Sequence, residues 1–314
     1  MDEVRKGKNP NDEKCKIRQD MTIKTFFDDV YVPQHCELSL KPLSRLKNQM
    51  LFKNQLAPLH NRKMLDITKP DIERLHKAIG AQSIYAANRA LALIKHMYSR
   101  AIAWGFPEGN PAKGVAMFRE QSRRRFLLPD EIPRFYAALQ APETHENFRN
   151  YVILSLYCGQ RRGNMLSLRW ADVDFTYGVI YIADTKNNEP QSVPLPSQAI
   201  DLLRDMKAKS KSEWLFPSRL KPKSHLFDPR EPWNDLLRRA GIEDFRIHDL
   251  RRTFGSMQAQ LGANETIIQK ALGDKSRAAA AVYMRVGLDP VRDSIQRMAD
   301  EVERLALGRP AGEG

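Results

Sequence analysis

The stretch "FRIHDLRRTFGS", residues 245–256, places His248 and Arg251 three positions apart. On a helix that spacing puts both side chains on one face. A rigid guanidinium fork beside an imidazole that can donate or move a proton suits a single anionic oxygen. Taken alone, the pair reads equally as a surface histidine and arginine near a helix start. The rest of the chain decides between the two.

Working outward, "CGQRRGNMLSLRW" (158–170) sets Arg161 and Arg162 just after Gly159, at a turn between two apolar helices. An arginine there can bury its stem and present its head to a cleft. It can also simply be solvated. "ADTKNNEP" (183–190) holds Lys186 at a strand end. Such a lysine is either mobile surface or a proton donor that swings into a site. Downstream, "ALGDKSRAAAAVYMRV" (271–286) ends four alanines, Ala278 to Ala281, with Tyr283 close behind. Alanines favour helix and present almost no bulk. Tyr283 is then either a packed aromatic or a hydroxyl held out to react.

The bulk properties narrow the classes. The chain has 314 residues, 42% of them hydrophobic, enough for one large domain or two ordinary ones with packed cores. Lysine and arginine number 51 against 38 acids, a net charge of +13 that points to a polyanionic partner. Cys15, Cys36 and Cys158 are too few and too scattered for a disulfide framework or a zinc site, which fits a reducing cytosol. No apolar run is long enough to span a membrane, and the start lacks the apolar core of a signal peptide.

Residues 1–19 read as a polar leader. Residues 20–118 read as a small all-helical domain of four main helices. "TIKTFFDDVYVPQ", "LSRLKNQMLFKNQLAPL", "ITKPDIERLHKAIG" and "SIYAANRALALIKHMYSRAIAWGF" each carry apolar residues at helical spacing. Thr68 ahead of Pro70 marks the third start, and Gly80 its stop. Residues 119–126 form a basic linker with Arg123, Arg124 and Arg125, either a solvated charge run or a contact with a phosphate backbone. Residues 127–308 mix helices with a hairpin in "GVIYIADTKNNEPQSVPL", where Val179, Tyr181 and Ala183 alternate. Its last helix, "DPVRDSIQRMADEVERL", sets Val291, Ile295, Met298, Val302 and Leu305 on one stripe. Residues 309–314 read as a disordered tail. The expected fold class is mainly α with a small β-hairpin or sheet in the second domain.

In this order and spacing, Arg161, Lys186, His248, Arg251 and Tyr283, with the "HDLRRTF" context, resemble the tyrosine recombinases of the phage integrase family. The resemblance runs from about Met21 to about Leu307. It implies that the helical half is a core-binding, DNA-clamping domain and that the second half is an α+β catalytic domain. The leader resembles the joint that follows an arm-binding domain.

The resemblance further implies the chemistry. Tyr283 would be the nucleophile that forms a 3′-phosphotyrosyl link and frees a 5′-hydroxyl. Only about a thousandth of a free tyrosine, with its pKa of about 10, is phenolate at neutral pH, so it needs help. Arg161 and Arg251 would clamp the non-bridging oxygens, Lys186 would protonate the leaving oxygen, and His248 would assist proton transfer. No metal, ATP or other cofactor is expected. The chain has no P-loop glycine pattern and no carboxylates spaced for magnesium.

Two positions depart from the family. Asn164 stands where an acid is usual. Asp274 stands where His or Trp usually donates to the phosphate, yet it keeps that place in the expected catalytic set. A carboxylate about 5 Å from the phosphate costs on the order of 3 kcal/mol at an effective dielectric of about 20. Pairing with Lys270, Lys275 or Arg277 is the favoured resolution; protonation and turning away are the others.

The partners implied are double-stranded recombination sites, a homotetramer on DNA through the C-terminal helix, and accessory DNA-bending factors, in a bacterial cytosol or nucleoid. No membrane partner is expected. Lys95 and Arg100 on the long first-domain helix, with Arg123 to Arg125, are the candidate DNA contacts. The competing readings are a type IB topoisomerase and an architectural or regulatory DNA-binding protein with a decayed site.

Overall fold

The computed structural model describes residues 20–106, 109–121, 123–182, 190–218, 221, 223–226, 228–273 and 289–309. Lys186, Asp274, Lys275, Arg277 and Tyr283 lie outside the described residues. The chain divides into two compact units, 1–122 and 123–314.

Among its described residues, unit 1 is helical apart from a single bridge between Thr22 and Lys63. Thr22 caps α1 (Ile23–Phe26), which runs on as a π-helical stretch, Phe27–Cys36, and then α2 (Glu37–Ser39). Pro33 sits inside the π-helical stretch, where it cannot donate to the ladder. Then come α3 (Pro42–Gln55), α4 (Lys69–Gly80) and α5 (Ile84–Ala103). A capping box between Thr68 and Asp71 starts α4, with Pro70 in its first turn. Gly80 ends α4 for a reason other than backbone freedom. A Cβ there would lie 2.4 Å from the Phe118 ring, so the glycine admits an aromatic side chain. Phe26, Tyr31, Leu56, Ile72, Leu91, Ile94 and Met97 form the core.

Unit 2 begins with α6 (Ile132–Gln140), α7 (Glu146–Cys158) and the short α8 (Arg162–Leu166). A three-stranded antiparallel sheet follows, in the order β1 (Val173–Asp174), β2 (Val179–Ile182), β3 (Gln191–Pro194). Val173 pairs with Ile180, and Ile180 with Val193. The inward residues of β2 are Ile180 and Ile182, while Tyr181 is exposed. The alternation expected at Val179, Tyr181 and Ala183 is not followed in burial: Val179 is buried, Tyr181 is exposed, and Ala183 lies outside the described residues. The sequence reading also missed β1, which at two residues is too short to show a period.

The remaining helices are α9 (Ser197–Lys209), α10 (Arg230–Ala240), α11 (Asp249–Gln260), α12 (Glu265–Leu272) and α13 (Asp289–Ala306). Val291, Ile295, Met298, Ala299 and Val302 of α13 are fully buried in the core of their own unit. In the free chain the stripe thus packs within its own unit. The apolar face is taken up by α6, α7, α11 and α12 of the same chain. Among the described residues, no helix is long and apolar enough to cross a membrane.

Candidate active site

Helix α7 is buried over nearly its whole length and stops at Gly159, whose left-handed backbone (φ +62°) ends it. Two constraints meet here. The conformation favours glycine, and a Cβ would lie 2.4 Å from Cδ1 of the buried Phe254 on α11. The chain then turns through buried Gln160 to Arg161, which is half-buried, extended, and the N-cap of α8.

His248 and Arg251 arrive from α11. His248 is the N-cap, and Arg251 lies one turn on, buried. The buried carboxylate of Asp249 fixes the start of this helix. It accepts from the Arg246 amide at 2.8 Å, from Arg123 Nε at 2.9 Å and from Arg252 Nη1 at 2.5 Å. Arg251 Nη1 donates to the Gly159 carbonyl at 2.8 Å, and Nη2 to the Leu272 carbonyl at 2.7 Å. One guanidinium thus ties the turn before Arg161 to the end of α12.

His248 is exposed as a residue, yet its pKa is held below the ordinary histidine value. The protein crowding its ring removes water, and Arg252, Arg251 and Arg161 repel a proton there; Asp249 opposes them. The imidazole is therefore neutral at neutral pH. The bond from Arg251 to the Gly159 carbonyl brings the start of α11 to the turn that carries Arg161. Arg161, His248 and Arg251 come together from segments far apart in sequence, with the end of α12 beside them. Two cations and a neutral imidazole can bind and orient an anion and take up a proton. Among the described residues, no group of three or more His, Cys, Asp or Glu is placed to hold a metal ion.

Residues 125–287, just over half of the chain, match the family model described as the phage integrase family. The chain belongs to the phage integrase family, the tyrosine recombinases. The integrase of Salmonella phage P22 is 31% identical over 170 residues, covering 50% of this chain and 42% of that protein. A tyrosine recombinase of Pseudothermotoga lettingae is 27% identical over 255 residues, covering 75% of this chain and 86% of that one. Among solved structures, a lambda integrase (75–356) dimer bound to a COC′ core site superposes with a TM-score of 0.69 at 19% identity, over 85% of this chain and 100% of that one. The Tn1549 transposon integrase (82–397) on circular intermediate DNA gives 0.72 at 14%, over 88% and 99%.

Within this phage integrase family member, the basic residues expected to face a polyanion divide. Arg123 grips Asp249 and Asp244, and it also donates to the Asp244 carbonyl. Arg125 pairs with Glu131 through both Nη atoms, at 2.6 and 2.7 Å. Both guanidiniums are engaged by carboxylates of their own unit, whereas Arg124 is exposed. Lys95 is half-buried, with its ammonium on the Val115 carbonyl at 3.0 Å, while Arg100 is exposed.

Sequence reasoning missed the glutamines of this site. Gln160 Nε2 donates to the carbonyls of Cys158 and Ala271, at 3.1 and 2.9 Å. Gln191 Nε2 reaches those of Lys270 and Ala271, at 3.3 and 3.2 Å. A glutamine carries no periodic or motif signal. The hint available in sequence was a polar residue set between a helix-ending glycine and an arginine.

Proposed function

We propose that this protein is a site-specific DNA recombinase that cuts and rejoins strands through a phosphotyrosyl bond at Tyr283. The observation that carries the reading is the convergence of Arg161, His248 and Arg251 on one site in a chain of this family. The net charge of +13 supports a nucleic-acid substrate. The lambda and Tn1549 integrases were solved on DNA, and one lambda integrase structure is a tetramer on a Holliday junction. From these we carry over duplex DNA as substrate, multi-subunit assembly on it, and a place in the cytosol where DNA is reached. Unit 1 would be the core-binding domain.

In this reading the Tyr283 oxygen attacks phosphorus and the bond from phosphorus to the 5′ oxygen breaks. That oxygen leaves with a proton from Lys186, and neutral His248 takes up the phenolic proton. Arg161 and Arg251 stabilise charge on the non-bridging oxygens as it develops. The phosphotyrosyl ester keeps the energy of the broken linkage, so a 5′-hydroxyl from another strand reseals it without ATP. The cationic side chains supply the charge that a divalent metal supplies elsewhere.

A nicked suicide substrate, run on a denaturing gel in the presence of EDTA, tests the reading. The expected result is a covalent protein–DNA adduct that Tyr283→Phe abolishes. An adduct formed by Tyr283→Phe would remove the nucleophile assignment. Relaxation of any supercoiled DNA by a monomer, without a paired site, would favour a type IB topoisomerase.

A further inference from the structure

The last carbonyls of a helix have no partner within it and must find donors elsewhere. Besides the Gly273 amide, which donates to the Lys270 carbonyl at 3.1 Å, the donors at the end of α12 are side chains from three separate elements. The Lys270 carbonyl receives Gln191 of β3, that of Ala271 receives Gln191 and Gln160, and that of Leu272 receives Arg251 of α11. Gly273 closes the helix in a left-handed conformation (φ +63°), and a Cβ there would lie 2.0 Å from Oε1 of Gln191. The Gln191 side chain thus lies directly against the cap. Gln160 is almost wholly buried, between the Cys158 carbonyl that ends α7 and the Ala271 carbonyl in the last turn of α12.

We propose that Gln160 and Gln191 are positioning residues, whose side-chain amides hold the end of α12 against the turn that carries Arg161. In sequence, the chain leaving α12 leads to Tyr283. Their task is to set where that chain departs relative to Arg161 and Arg251. The inference rests on the function proposed above. Geometry at the reacting centre governs rate steeply: an error of about 1 Å costs on the order of a hundredfold. A loosened α12 end would therefore slow chemistry while leaving DNA affinity, which is set by many phosphate contacts, unchanged.

The test uses the full chain with Gln160→Met and Gln191→Met, each close to isosteric and lacking the donor, and the double variant. Site affinity is read by gel shift, adduct formation by single turnover on the suicide substrate, and exchange of the Leu272 and Gly273 amides by hydrogen–deuterium exchange on free protein. The expected result is unchanged affinity, faster amide exchange, and adduct formation slowed on the order of tenfold or more. The double variant should be slowed by less than the product of the single effects, because both amides share the Ala271 carbonyl. A substrate with sulfur as the 5′ leaving atom, which departs without a proton, should not restore the rate.

Unchanged adduct rates in both single variants, or rescue by the sulfur substrate, would overturn the proposal. If Gln160→Met fails to fold, half-buried Gln191→Met decides alone. If wild-type protein gives no adduct that depends on Tyr283, the functional reading fails instead. Amide exchange then still decides whether the two glutamines hold the helix end.

Discussion

Arg251 Nη2 lies 2.7 Å from the carbonyl oxygen of Leu272, while Nη1 of the same guanidinium donates to Gly159. One side chain therefore has a structural duty, and the functional reading adds a second at the phosphate. Arg251→Lys keeps the charge but cannot span both carbonyls. Leaving a buried carbonyl without a donor costs about 1–3 kcal/mol. The expected outcome is a lower urea midpoint together with loss of adduct formation. A variant as stable as wild type would show that the two carbonyls need no bridge.

Gly159→Ala tests the turn before Arg161. The added Cβ meets Phe254 at 2.4 Å in a conformation that L-residues avoid. Overpacking and left-handed strain together should cost about 2–4 kcal/mol. Gly159→Ala with Phe254→Leu should recover part of the adduct formation lost in Gly159→Ala, because only the steric share is relieved. Equal loss in both variants would put the whole penalty on the backbone.

In the proposed mechanism the acid limb of the cleavage rate belongs to His248. Its pKa is depressed, so half-protonation comes only at a pH below the ordinary histidine value of 6.5. The midpoint of the acid limb should therefore lie below pH 6.5. Stability carries the same sign. The unfolded chain takes up the proton first, so this group's contribution is present above 6.5 and is lost as the pH falls through the lower folded value. Arg252→Gln removes a repelling charge and frees Asp249, and both effects raise the His248 pKa. The acid limb should move to higher pH in a single-turnover pH profile. A limb that stays in place would mean that another group sets it.

How much of this was legible in sequence depends on which force acts. The helices of both units follow from apolar spacing and caps such as Thr68 and Pro70, because burial and capping act locally. Arg161, His248 and Arg251 were picked out by the family resemblance rather than by any one of them alone, and their roles rest on the proposed mechanism. The strand β1 was not legible, since two residues show no period. Gln160 and Gln191 were invisible because their partners are backbone carbonyls far away in the chain. Arg123, Arg124 and Arg125 look alike as a run, yet only the fold shows that Asp249 and Glu131 wait for two of them.

That division of the linker is itself testable. Arg124→Ala should leave thermal unfolding unchanged and weaken DNA binding, lowering the slope of log affinity against log salt by about 1. Arg123→Ala should do the reverse in kind. It removes a partner from a fully buried carboxylate, so unfolding shifts to lower temperature while the salt slope stays as in wild type. Titrations at several salt concentrations, paired with melting curves, separate the two. An equal loss of salt slope in both variants would return Arg123 to the set of phosphate contacts.

The last helix decides whether the catalytic unit is complete within one chain. Ile295, Met298 and Val302 are fully buried in the core of unit 2. Met298→Ala should therefore cost about 2–5 kcal/mol, as truncation of a buried apolar side chain does. Because the cavity opens inside one chain, the loss should not vary with protein concentration. If the helix instead exchanged between subunits in free protein, stability would rise with concentration, as it does for any folded state that needs a partner. Denaturation of wild type and Met298→Ala at two widely separated concentrations distinguishes these. Coincident curves at both concentrations place the helix in its own unit, so that any assembly on DNA must use another surface or must first release α13 at the cost of that core.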